Sequence, residues 1–390
     1  GELPAPKRVS VRSARVAKVL GADIAAERTG EILQRLGLQP ENTAEGFAVT
    51  APTFRYDIEI EADLIEEIAR VHGYENIPAK HTRGRLAMLG QPENRRPRFA
   101  AYRKMAARGY QEVVSYAFVN EQWERDFAAN ANPIRLQNPL AAQYAVMRST
   151  LIGGLVEILQ NNLNRKHNRV RVFEIARVFT KDADGRFVQN ERIGGLAYGA
   201  AQPEQWGEKT RNIDFYDVKG DVEALLGGKT AEFVKTEHPA LHPGRCAKIR
   251  IGGEAVGFIG ELHPKWLQKY ELPQAPIVLE LDMAAVLNAQ KTRYRPVSKF
   301  QPVRRDLAFV LPETVPYAEL AAALARADNP LVREIELFDV YRGTGLPENH
   351  KSMAVKILLQ DQDATLTDEA VEAAVAKLVA HAEKIGAKLR

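Results

Sequence analysis

The chain has one cysteine, Cys246, in 390 residues. A single thiol excludes a disulfide framework and any CxxC zinc site, and it suits a reducing cytosol. Long apolar runs are missing as well. No stretch approaches the roughly 20 residues a membrane span requires, so no membrane partner is expected. The opening residues GELPAPKRV lack the apolar core of a signal peptide. A strong excess of one charge is also absent: Lys and Arg number 54 against 50 Asp and Glu, a net charge of +4. That balance permits a nucleic-acid partner without demanding one. With 45% hydrophobic and 27% charged residues the composition is that of a soluble globular protein, and the length implies two or three domains.

The first eighty residues read as short helices closed by glycine. Ser13 to Leu20 carries Val16, Val19 and Leu20 on one face and stops at Gly21. Asp23 is expected to cap a segment that ends at Gly37, GFAVTAP to form a strand, and Asp63 to His72 to form a third helix closed by Gly73. Helix, turn, helix raises the question of DNA. A recognition helix needs several donors near its exposed start, and this segment offers only Arg28 and Arg35 among Glu27 and Glu31.

From Lys80 to Pro296 helices and strands mix. RPRFAAYRKMAARGYQEV is an amphipathic helix ending at Gly109, VVSYAFV reads as a strand, and MRSTLIGGLVEILQNNLNRKHN as a longer helix. VRVFEIARVFT, RIGGLAYGA, CAKIRIGGEAVGFIGEL and APIVLELDM then give strands joined by tight turns, an antiparallel α+β domain. The remaining residues run strand, helix, strand, strand, helix, strand, with Pro316 opening the first helix and Thr367 capping the second. That order is ferredoxin-like βαββαβ, one sheet with both helices on one face and the other face free to bind. The expected fold class is multidomain α+β.

One stretch concentrates negative charge. PTFRYDIEIEADLIEEIARVHGYENIP holds Asp57, Glu59, Glu61, Asp63, Glu66 and Glu67. A helix start accounts for part of it: Asp63 and Glu66 have capping-box spacing, acidic residues suit the first turn, and Glu66 can pair with Arg70. Asp63, Glu66 and Glu67 also share a helix face opposite Leu64, Ile65, Ile68 and Val71, with Asp57 able to fold back toward it. An oxygen-only set of that kind suits a hard divalent cation. His238, His242, His263 and Cys246 fit no zinc spacing and read as turn residues.

Three stretches carry a resemblance. FRYDIEIEADLIEEIARVHGYENIP, the run NPLAAQYAVMRSTLIGGLVEILQNNLNR with VRVFEIARVF, and FQPVRRDLAFVL with FDVYRG, KSMAVKI and LQDQDATLTDE resemble the C-terminal half of the bacterial-type phenylalanyl-tRNA synthetase β subunit. The resemblance spans essentially the whole chain. It implies three modules: a magnesium-binding cap domain of B5 type (1–79), a catalytically degenerate class II synthetase core (80–296), and a ferredoxin-like FDX-ACB anticodon-binding domain (297–390). It further implies a truncated chain, without the N-terminal modules that carry editing in the family.

Asp57, Asp63, Glu66 and Glu67 match the family's magnesium ligands position by position, at a border with the α subunit. The core shows no counterpart of the class II ATP-binding arginines: Arg171 and Glu174 lack the Arg-x-Glu spacing, and Glu261 and Leu262 follow the glycines. No catalytic residue is therefore assigned. The implied function is support of ATP-dependent charging of tRNA(Phe) with phenylalanine. The α subunit would bind the ATP, in a cytoplasmic heterotetramer of two α and two β chains. In the last module Arg304, Arg305, Arg342, Lys351 and Tyr341 are the candidate RNA contacts, by phosphate pairing and base stacking. The competing class is a stand-alone RNA-binding or scaffold protein built from the same modules, which would copurify without a class II partner.

Overall fold

A computed structural model describes residues 6–81, 84, 87, 88, 90, 92–291, 293, 294 and 296–390. The residues GELPA and several at both expected borders of the central domain lie outside the described set. The chain forms two compact units, 1–90 and 91–390.

The first unit contains β1 (Arg8–Arg12), α1 (Ser13–Leu20), α2 (Ala26–Arg35), β2 (Gln39–Asn42), β3 (Gly46–Thr50) and α3 (Glu61–His72). The strands form an antiparallel sheet in the order β1-β3-β2, with Val9 opposite Val49 and Val11 opposite Phe47. Val9, Val11 and Val49 pack with Ile32 and Leu33 of α2 and Leu64, Ile65 and Ile68 of α3. Burying those spaced apolar side chains is what turns marginal short helices into stable ones. Two helix starts differ from expectation. α2 begins at Ala26 with Ala25 at its N-cap, so Asp23 does not cap it. α3 begins two residues early, because the Asp63 carboxylate accepts the backbone N–H groups of both Glu59 and Ile60 at 2.8 Å. Asp63 is thus the third residue of the helix and not its cap.

The second unit opens with α4 (Phe99–Ala107), β4 (Gln111–Glu112), β5 (Phe118–Val119), α5 (Glu121–Ala128), β6 (Val146–Met147) and α6 (Ile152–Asn164). It continues with β7 (Val170–Lys181), β8 (Phe187–Tyr198), α7 (Phe215–Leu226), β9 (Ala231–Lys235), β10 (Leu241–Ile251), β11 (Glu254–Leu262), α8 (Pro264–Lys269), β12 (Ile277–Asp282) and α9 (Met283–Leu287). Seven strands form one sheet in the order β4-β7-β8-β12-β11-β10-β9, antiparallel except for β4 beside β7.

Alternation along the strands splits the core in two. Phe173, Ile193 and Leu279 face Met105 of α4 and Val222 and Leu225 of α7. Val172, Leu196 and Val278 face Leu151 and, on α6, Leu155 and Leu159. The apolar stripe of α6 is therefore core. Gly154 lets α6 pack against the segment at Ser115, since a Cβ there would lie 2.5 Å from Ser115 Oγ. The expected strand VVSYAFV is reduced to Phe118–Val119. Ser115 instead turns its N–H and hydroxyl to the Glu174 carboxylate, at 3.3 and 2.6 Å.

The same unit ends with β13 (Val303–Pro312), α10 (Tyr317–Ala325), β14 (Val332–Tyr341), β15 (His350–Leu359), α11 (Asp368–Glu383) and β16 (Lys388–Leu389). The sheet order is β14-β15-β13-β16. Leu307, Phe309 and Leu311 of β13 pack against Leu320 and Leu324 of α10 and Val371 and Leu378 of α11, so both helices cover one face. The Thr367 hydroxyl caps α11 by accepting the Ala370 N–H.

Candidate functional site

Of the six acidic residues from Asp57 to Glu67, each but one meets a positive or N–H partner. Glu61 accepts from Arg12 through Nε, Nη2 and the backbone N–H at 2.7–3.0 Å. Those bonds hold its carboxyl down at about 2, against the opposing effect of burial. Arg55 grips Asp57 with two bonds, Nε to Oδ1 at 3.0 Å and Nη2 to Oδ2 at 2.7 Å, and also reaches Glu67 at 3.2–3.3 Å. Arg70 donates to the same Glu67 at 2.6 Å. Arg70 and then Arg55 lower the Glu67 carboxyl, and Arg55 lowers that of Asp57. Glu66 is exposed and has no hydrogen bond or ion pair among the described residues.

The helix-face pairing differs from expectation. Arg70 takes the buried Glu67 at i, i+3, where the charge gains more from neutralisation, and leaves Glu66 free. The four expected magnesium ligands are not gathered. Among the described residues no group of three or more His, Cys, Asp or Glu side chains lies close enough to hold a metal ion. Arg55 stands between Asp57 and Glu67 as their counter-cation, and Asp63 carries two backbone N–H groups. As a preformed four-carboxylate chelate the set does not fit a cation.

In the central sheet the buried charges pair with one another. Arg148 donates to Glu174 at 3.0 Å, to Ser115 Oγ at 2.9 Å and to the Arg177 carbonyl at 3.1 Å, with both ionic side chains buried. Glu280 accepts from the Thr150 hydroxyl (2.7 Å), the Leu151 N–H (2.8 Å) and Arg192 (2.9 Å). Asp221 accepts from Arg108 at 2.6 Å and from the Tyr110 hydroxyl at 2.8 Å, with Arg171 3.7 Å away. Burial and then Asp221 push the Tyr110 hydroxyl well above its ordinary range. Carboxylates satisfied this fully are positioned to hold strands and helix starts together rather than to take up a substrate.

Each of the three histidines accepts a neighbouring backbone N–H at Nδ1: His238 from Ala240, His242 from Gly244 and His263 from Lys265. Cys246 is buried, its Sγ 2.8 Å from the Thr236 carbonyl.

On the ferredoxin-like sheet the face away from the helices carries Arg304, Asp306, Ala308, Lys356, Glu336 and Phe338. Arg304 pairs with Asp306 at 2.8 Å and lies over the half-exposed Phe338 ring at 5.8 Å. Lys356 pairs with Glu336 and, at 3.6 Å, with Glu334. The Tyr341 ring is partly exposed beneath Arg390.

The family description "Phenylalanyl tRNA synthetase beta chain CLM domain" matches residues 77–283. The chain belongs to this phenylalanyl-tRNA synthetase beta chain family. Two further descriptions flank it, "tRNA synthetase B5 domain" over residues 9–74 and "Ferredoxin-fold anticodon binding domain" over 298–390. Proteins named phenylalanine–tRNA ligase beta subunit are similar along the whole chain. That of Neisseria meningitidis serogroup A is 72% identical over 390 residues, that of Chromobacterium violaceum 56% over 389, and that of Burkholderia lata 46% over 405. The chain spans about half the length of these relatives.

In this member of the beta chain family the five candidate RNA contacts do not share one surface. Arg304 and Tyr341 lie on the open sheet face. Arg305 has the parity of Leu307 and Phe309 and lines a groove with Val375, Val379 and Leu389 on the helix side. Lys351 is buried and donates to the Glu313 carbonyl at 2.7 Å, and Arg342 pairs with the Glu313 carboxylate at 2.8 Å. Phe309 is fully buried in the core.

The sequence reading missed Arg148, Arg192 and Glu280. A signal existed for Glu280: one carboxylate inside the apolar strand IVLELD is a buried pair in waiting, because Glu is almost never buried alone. Among the described residues no helix is long and apolar enough to cross a membrane.

Proposed function

We propose that the chain is the β-subunit portion of a cytoplasmic phenylalanine–tRNA ligase. It supports charging of tRNA(Phe) with phenylalanine by an α subunit that binds the ATP, in a complex of two α and two β chains. The observation that carries the reading is the match of B5, beta chain CLM and anticodon-binding descriptions, in that order, along one chain. The internal pairing of Glu174, Glu280 and Asp221 supports a central module (80–296) that holds subunits together instead of performing chemistry. The cap module (1–79) and the anticodon-binding module (297–390) complete the division of labour.

Magnesium enters this reading in a narrowed form. Glu66 is the one uncommitted carboxylate of the four, and a cation there draws its other oxygen ligands from water and a second protein surface. RNA enters through the open ferredoxin-like face, with Arg304 for phosphate and Phe338 and Tyr341 for stacking.

The test is reconstitution. The purified chain is expected to pull down a class II α subunit and to show no phenylalanine-dependent ATP–pyrophosphate exchange alone. Exchange in a preparation free of α subunit, or failure to bind any α subunit, refutes the assignment.

A further inference from the structure

Backbone bonds between the approach to α4 and the end of α9 wall off a cleft in the central module. The Arg96 N–H donates to the Leu287 carbonyl at 2.8 Å, and the Ala289 N–H donates to the Asn94 carbonyl. Between this wall and the first half of β8 lies an open cavity of about 730 Å³. Small-molecule sites of that size combine an apolar floor with a few placed polar groups. Pro92, Met283 and Leu287 supply the apolar part, and Met283 is buried.

Polar groups of three kinds line the same cavity. Asn94, Asn190 and Asn288 bring amides. Asn94 Nδ2 donates to Asn288 Oδ1 at 3.3 Å, which leaves that pair an amide acceptor and an amide donor to spare. The exposed Asn190 side chain has no hydrogen bond among the described residues. Glu191 and Asp282 bring carboxylates, each paired with an arginine from outside the lining: Arg98 lies 3.0 Å from Glu191, and Arg192 3.3 Å from Asp282. Arg95 brings an exposed guanidinium with no hydrogen bond or ion pair among the described residues. With both acids neutralised, Arg95 holds the uncompensated charge of the cleft.

A ribonucleotide asks for this set. An asparagine amide meets adenine N6 and N7 with two bonds, a carboxylate accepts ribose hydroxyls, and a guanidinium pairs with phosphate. We propose that the cleft binds an adenine ribonucleotide, its base against Met283 and the amides and its phosphate on Arg95. The source is either a free nucleotide or an adenosine within an RNA strand. Residues of the central module alone build the cleft, so its test stands apart from that of the open ferredoxin-like face.

The experiment titrates the whole chain calorimetrically with AMP, dAMP, adenosine and inorganic phosphate at constant ionic strength. AMP is expected to bind saturably. Adenosine, which lacks the charge-assisted bond, should bind about tenfold more weakly, and dAMP about two- to tenfold more weakly. Arg95→Gln is expected to weaken AMP by about tenfold and leave adenosine unchanged, a split that loss of fold would not produce. Asn190→Ala should weaken AMP and adenosine alike by about two- to tenfold. Three results each overturn the proposal: no saturable AMP binding, phosphate bound as tightly as AMP, or equal loss of AMP and adenosine in Arg95→Gln.

A fluorescent oligoadenylate provides the second arm. Displacement of the oligoadenylate by AMP, with weaker binding in Asn190→Ala, supports the site with RNA as its source. Saturable AMP binding that leaves the oligoadenylate undisturbed supports it with the free nucleotide as its source.

Discussion

Replacing Glu174 by Gln leaves Arg148 buried with its charge uncompensated. The two side chains are 5% and 3% exposed and 3.0 Å apart. After the substitution Arg148 keeps the Ser115 hydroxyl and the Arg177 carbonyl, but no anion. Breaking a buried pair from one side costs about 3–5 kcal/mol. At a urea slope of about 2 kcal/mol/M that is a fall in midpoint of about 1.5–2.5 M. Arg148→Met with Glu174→Leu removes both charges. This double variant is expected to recover most of the loss, because each charge's desolvation disappears with it.

The assay is favourable, since all three tryptophans, Trp123, Trp206 and Trp266, lie in the central module, whose unfolding their emission reports. A Glu174→Gln cost below about 1 kcal/mol, or a double variant as unstable as the two single losses added together, refutes the role given to this pair.

Arg55→Gln strips the counter-cation from Asp57 and Glu67. It is expected to destabilise the first unit by about 1–3 kcal/mol through the loss at Glu67, with part of the loss restored by millimolar Mg²⁺; thermal melts with and without EDTA check both effects. His238 is held neutral by burial, and secondarily by Arg192, with its pKa lowered to about 4. Unfolded His238 takes up its proton at an ordinary 6.5. Its contribution, at most about 3 kcal/mol, is therefore complete above about pH 6.5 and lost as pH falls toward 4. His238→Gln should flatten that window in urea titrations, and an unchanged slope would exclude it. Asp306→Asn frees Arg304 and is expected to tighten single-stranded RNA, whereas Arg304→Ala should weaken it and reduce the log–log salt slope by about 0.7; equal behaviour of the two variants by fluorescence anisotropy contradicts the open-face reading.

Much of the fold was legible because its signals are local. Gly21 takes a left-handed conformation and closes α1 where the apolar spacing stops. Pro316 and Thr367 mark helix starts through their own backbone and hydroxyl, and alternation at Leu307, Phe309 and Leu311 marks the covered face of β13. That same alternation places Arg305 on the helix side, so its separation from Arg304 was readable in the residue order. Asp23 misled because a good capping residue still needs a helix that begins beside it.

The site was a different matter. Which arginine neutralises which carboxylate was settled by tertiary contacts across long separations: Arg12 with Glu61 49 residues on, Arg192 with Glu280 88 residues on. Periodicity and the ends of α1 and α11 follow from bonds within one turn of chain, so the sequence by itself marks them. Charge pairing depends on which groups packing removes from water and which opposite charge then lies within a few ångströms. For Asp57, Asp63, Glu66 and Glu67 the sequence supplied four carboxylates at metal-like spacing. The tertiary structure gave two of them to Arg55 and one to the helix start, and left only Glu66 uncommitted.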